Sequence, residues 1–124
     1  MRSLLSRLSG MLAEKKQEQA LLVYIRLSDD EHGEASEREE LFHLEDEVMA
    51  AVEGTEAGEF DDNEIGAGYF TLYMYAPSAS RIWDVVAPVV VRFSAPAGSY
   101  AIQRFGTPGA EEHRVELATP AGQI

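Results

Sequence analysis

The chain has 124 residues, 45% of them hydrophobic and 26% charged, which suits one globular domain and excludes a globally disordered polymer. It contains no cysteine, so disulfides, thiolate nucleophiles and cysteine metal sites are excluded. Its net charge of −12 opposes binding to nucleic acid or to an anionic membrane, since both require Lys and Arg to neutralise phosphates.

Residues 3–18 read as an amphipathic helix. Leu4, Leu5, Leu8, Met11 and Leu12 fall on one stripe at the i, i+3, i+4 spacing, with Gly10 as a weak point. Ser3, Ser6, Arg7, Ser9 and Gly10 break the continuous apolar run that a signal peptide needs, and no run is long enough to span a bilayer. The cytoplasm is the expected location. Arg2, Arg7, Lys15 and Lys16 make this the one basic stretch, opposed by Glu14 and Glu18. The remaining chain contains no lysine.

Residues 20–28 predict a strand, with Val23, Ile25 and Leu27 on one face and Leu22, Tyr24 and Arg26 on the other. An acidic loop from Asp29 to Ala35 follows. Ser36 and Glu39 fit a capping box that opens a helix. Leu41, Leu44, Val48, Met49 and Val52 form its buried stripe, and Gly54 stands at the C-cap. Residues 58–65 and 68–76 predict a hairpin turning at Gly66-Ala67-Gly68. Its second strand places Phe70, Leu72 and Met74 on one face and Tyr69, Thr71, Tyr73 and Tyr75 on the other.

Ser78 is the expected N-cap of the next helix, whose buried face is Ile82, Val85, Val86, Val89, Val90 and Phe93. Pro88 inside that pattern predicts a kink or an early end, and the run at 89–91 has strand character as well. Residues 99–105 and 112–117 predict a final hairpin around Gly106, Pro108 and Gly109. Together these elements predict an α+β fold, a ferredoxin-like βαββαβ sandwich with an extra C-terminal strand and an N-terminal amphipathic helix. The expected divisions are residues 1–19 for that helix, 20–117 for the single domain and 118–124 for a C-terminal tail.

The run from Gly58 to Pro77, GEFDDNEIGAGYFTLYMYAP, and the run from Gly98 to Ala110, GSYAIQRFGTPGA, resemble segments of an uncharacterised family of small bacterial α+β proteins. That resemblance covers about residues 20–117. It implies a bacterial α+β domain and carries no established activity with it.

Candidate chemistry is sparse. Asp61-Asp62-Asn63-Glu64 is a dense oxygen cluster but lacks the alternating ligands, central glycine and distant glutamate of a calcium loop, and reads as a polar edge strand. Glu40 and His43 are spaced like half of a di-metal helix motif whose second half is missing. No nucleophile elbow, phosphate loop or dinucleotide fingerprint occurs, so no catalytic residue, metal or cofactor is assigned and a non-catalytic role is expected.

Two function classes remain. Residues 28–64 hold sixteen acidic side chains against one base, Arg38. Such a field favours a basic protein partner, as in an immunity- or inhibitor-type protein, with Asp29, Asp30, Glu31, Glu37, Glu39 and Glu40 as the expected binding surface. The alternative is a small-molecule-binding or regulatory domain that forms a homodimer through the open sheet face, with Tyr69, Tyr73 and Tyr75 at the interface.

Overall fold

The structure is a computed structural model that describes residues 18–117. The expected N-terminal helix, apart from its last residues, and the expected C-terminal tail lie outside these residues. The chain forms β1 (Gln19–Arg26), α1 (Ala35–Glu53), β2 (Glu59–Gly66), β3 (Tyr69–Ala76), α2 (Ala79–Phe93), β4 (Tyr100–Arg104) and β5 (Glu112–Glu116). The strands form one antiparallel sheet in the order β2-β3-β1-β4-β5.

Both helices pack on the same face of the sheet. Val23, Ile25, Phe70, Leu72 and Met74 meet Leu41, Leu44, Val48, Ile82 and Val86 in one buried cluster. The alternation read from the sequence therefore assigns the faces of β1 and β3 correctly. Every one of these side chains is at most 2% exposed, so this single layer of contacts is the core of the domain.

Three local expectations are corrected. First, α1 begins earlier than the expected Ser36 cap. Glu34 takes the N-cap position in an extended conformation, and its N–H donates to Glu37 Oε1 at 3.1 Å. The same Glu37 carboxylate accepts from Ser28 N–H and Oγ–H, which fixes it in the first turn in place of Glu39. Second, α2 runs unbroken through Pro88 to Phe93. Pro88 is exposed, so the hydrogen bond it cannot make to the carbonyl of Asp84 is surrendered on the solvent side. Third, the β2–β3 turn is tighter than expected. Gly66 still pairs with Tyr69, leaving Ala67 and Gly68 as a two-residue turn with φ of 54° and 84°.

Gly68 is required for a second reason. A Cβ there would collide with the Arg26 guanidinium. Arg26 Nη1 donates to the carbonyl of Gly68 at 2.7 Å and to that of Asp29 at 3.2 Å, while Nη2 reaches Asp30 at 2.7 Å. The Gly68 N–H in turn donates to the Glu31 carbonyl. One arginine thus ties the end of β1, the β1–α1 loop and the β2–β3 turn together.

Candidate functional site

Two surfaces concentrate chemistry, one acidic and one aromatic. The acidic one is built by the β1–α1 loop, the outer side of α1 and the edge strand β2. Helix α1 reaches β2 directly: Asn63 donates from Nδ2 to Glu45 Oε2 at 2.7 Å. The sixteen acids of residues 28–64 are therefore carried by three contiguous elements, the β1–α1 loop, α1 and β2, and by the connection between the last two. β2 carries an irregularity between Phe60 and Asp62, which bends an edge already guarded by carboxylates.

The six carboxylates expected to bind a partner divide into two groups. Asp29 Oδ1 accepts from the N–H groups of Glu31 and Gly33, both at 2.9 Å. Those backbone bonds, Gly33's first, hold its carboxyl below the usual value. Asp30 pairs with Arg26, and Glu37 is bound by Ser28 and Glu34. These three shape the loop. Glu31, Glu39 and Glu40 are exposed, and no hydrogen bond or ion pair within the described residues engages their carboxylates. Arg38, the lone base, donates to the carbonyls of His32 and Gly33, so its head is held close to the loop backbone.

Glu40 and His43 lie at a shallow cleft between the helices, with Glu47, Arg92 and Phe93. Within the described residues no three His, Asp or Glu side chains converge as metal ligands. No helix there is long and apolar enough to cross a membrane.

The second surface is the sheet face opposite the helices. Tyr69, Tyr73 and Tyr75 all lie on it, as expected. Its aromatic cluster, however, is a different trio, at one end of the strands. Tyr24 stacks on Tyr100 with ring centroids 4.6 Å apart, and Tyr69 meets both edge-on at 6.0 and 5.8 Å. The Arg114 guanidinium lies 3.7 Å from the centroid of Tyr100, and that of Arg26 lies 5.5 Å from Tyr69. Burial, followed by the neighbouring tyrosine, raises the phenols of Tyr24 and Tyr100 above their ordinary value. Tyr73 stands apart. Its hydroxyl donates to Glu64 at 2.7 Å, and that bond pushes the phenol far up. Phenols so held are hydrogen-bond donors and packing surfaces, not bases.

Tyr100 and Arg114 were not legible as site residues. Their only signal is alternation within two short strands, and the neighbours of β4 and β5 depend on strand order.

No protein-family model, curated protein or solved structure matches the chain. The functional reading rests on the geometry.

Proposed function

We propose that this domain is a non-catalytic protein-binding module, immunity- or inhibitor-type in character, that holds a basic partner protein on the side formed by the β1–α1 loop, α1 and β2. The observation that carries this reading is the segregation of charge. Sixteen acids and one base lie in residues 28–64, while residues 65–117 hold four bases and four acids. A field this one-sided steers a cationic surface toward one face of the domain and accelerates its encounter. Glu31, Glu39 and Glu40 supply the contacts. Asp29, Asp30 and Glu37 hold the loop rigid, so little ordering is required on binding. The scaffold is read as a ferredoxin-like βαββαβ sandwich with β5 added beside β4.

The experiment is capture from native lysate on the immobilised protein, at low and high salt, beside a variant with Glu31, Glu39 and Glu40 changed to Gln. A basic protein retained by the original chain, released by salt and lost by the variant supports the reading. Equal retention by the variant, or by an unrelated protein of the same net charge, removes it.

A second reading has its own support. The Tyr24–Tyr69–Tyr100 trio gives the open face the aromatic content of an interface. A dimeric ligand-binding or regulatory domain would use that face. Light scattering that gives a dimer mass unaffected by salt favours it, and a monomer mass at micromolar concentration opposes it.

A further inference from the structure

The two end strands of the sheet are treated differently. β2 carries carboxylates and the irregularity between Phe60 and Asp62. β5, at the opposite end, pairs with β4 in unbroken register over its 5 residues and holds neither proline nor lysine. Bulges, prolines and lysines are the usual devices that keep an edge from pairing with another chain. Glu112, His113, Arg114 and Glu116 are all exposed.

Hydrogen bonding sets which groups that edge offers. The Phe105 N–H donates to the Glu111 carbonyl, and the Leu117 N–H donates to the Ser99 carbonyl. These bonds bracket the β4–β5 pairing. By antiparallel alternation Glu111, His113, Val115 and Leu117 turn their backbone groups toward β4. Glu112, Arg114 and Glu116 turn theirs outward, where β5 has no neighbouring strand among the described residues. Two-fold antiparallel pairing with a second β5 must join outward groups to outward groups. It can therefore centre on His113, Arg114 or Val115.

Side chains choose among these registers. Centring on Arg114 sets Arg114 against Arg114 and Glu112 against Glu116, all like charges. Centring on His113 sets Val115 against Glu111. Centring on Val115 sets each Arg114 against the second copy's Glu116. Arg114 already pairs with its own Glu116, so the four charges form a square whose neighbours all differ in sign. On the helix side the same register brings Val115 against Val115 and Leu117 against His113. Val115 and Leu117 are half-buried at the margin of the core, so the second copy extends that core.

Net charge permits the approach at this end. Residues 99–117 hold two bases, Arg104 and Arg114, against three acids, Glu111, Glu112 and Glu116. In a joined ten-stranded sheet the two acidic β2 strands are nine spacings apart, about 43 Å. That is several times the Debye length at physiological salt.

We propose that β5 is a self-association edge, which joins two copies of this chain antiparallel about Val115 into one continuous sheet. The pairing is independent of the acidic surface and of the tyrosine face, and leaves both outside the joint.

The absence of cysteine makes the test direct. Residues that face each other in a non-hydrogen-bonded antiparallel pair have Cα atoms about 4.5 Å apart, within disulfide reach. In this register the two copies of residue 113 are about 14 Å apart. Val115→Cys under copper–phenanthroline oxidation should therefore give a disulfide-linked dimer, and His113→Cys should not. A dimer from His113→Cys, or equal yields from both, overturns the proposal. Charge reversal tests it without oxidation, by sedimentation equilibrium on chains of unchanged circular dichroism. The original chain should sediment as a dimer at submillimolar concentration. Arg114→Glu and Glu116→Arg should each weaken the dimer about tenfold. An equal mixture of the two variants should restore it, because both cross-strand pairs are then opposite in sign. A monomeric original chain, a Glu116→Arg dimer as tight as the original, or a mixture no tighter than its components each overturns the proposal.

Discussion

Helix α1 buries Leu41, Leu44, Val48 and Val52, and helix α2 buries Ile82, Val86, Val89 and Val90, so the β1–α1–β2 and β3–α2–β4 halves bring comparable aliphatic stripes to one core. Their outer surfaces differ far more than their inner ones. The first half carries nearly all the excess negative charge, and Glu37 and Glu40 even stand one turn apart on α1, where like charges repel. The second half, taken on through β5, is charge-balanced, with four bases and four acids in residues 65–117. Burial therefore specifies the fold in both halves, and the acidic surface is an addition that folding does not demand.

If the halves are equivalent inside, truncation must cost them alike. Leu44→Ala in α1 and Ile82→Ala in α2 remove side chains that are 1% and 0% exposed. Each is expected to lower stability by about 2–5 kcal/mol, read from urea denaturation. A much smaller loss for Leu44→Ala would make α1 a peripheral element and break the comparison. A smaller effect separates the loops. Arg26→Met removes the side-chain donor to the carbonyl of Asp29 and one of two donors to that of Gly68, which keeps the Leu27 N–H, and should cost about 0.5–1.5 kcal/mol. Arg114→Met removes an exposed ion pair with Glu116 and the guanidinium over Tyr100, and should move the denaturation midpoint less than Arg26→Met does.

These contrasts also show what the sequence could reveal. Period-2 alternation in β3 and the 3.6-residue stripes of both helices are strong because one face of each is buried, so elements and core were readable. The start of α1 was not, because Ser36 and Glu39 fit a capping box as well as Glu34 and Glu37 do, and the contact with Ser28 that selects Glu37 is tertiary. The early end that Pro88 suggested does not occur, because the cost of a proline depends on whether the lost hydrogen bond faces the core or water. The tyrosine face was half legible. Tyr69, Tyr73 and Tyr75 share a strand and announce a common side. Tyr24 and Tyr100 join Tyr69 only once β1 is known to lie between β3 and β4.

Within the acidic half, pH should act with two signs. Asp29 is held below its ordinary value by backbone donors, so its contribution is present above the ordinary carboxylate range and is lost as pH falls through the lowered value. Asp29→Ala should accordingly flatten the acid limb of the stability profile. Glu45 is the reverse case. Burial lifts its carboxyl, with Asp46 and Asp62 adding to the rise and the Asn63 bond opposing it. A raised acid favours folding below its unfolded value, and that advantage is lost as pH climbs through the raised one. Glu45→Gln keeps an acceptor for Asn63 and removes the charge. It should therefore raise the urea midpoint at neutral pH, and the gain should fade on acidification, once Glu45 itself is protonated. A gain that persisted at low pH would trace to packing instead.

The smallest expected change tests the main contrast most directly. Glu31, Glu39 and Glu40 are exposed and unpaired within the described residues, so changing all three to Gln should alter stability by no more than about 0.5 kcal/mol. The direction should be toward greater stability at low salt, because three members of a repelling set are removed, and the difference should shrink as salt screens the field. Neutralising Arg81, Arg92 and Arg104 in the balanced half should do the opposite, since it leaves Asp84, Glu111 and Glu112 fewer opposing charges and deepens the net negative charge of the chain. If the Glu-to-Gln variant is instead clearly destabilised, the acids are part of what holds α1 in place, and the division between a core that folds and a surface that binds fails at its most acidic point.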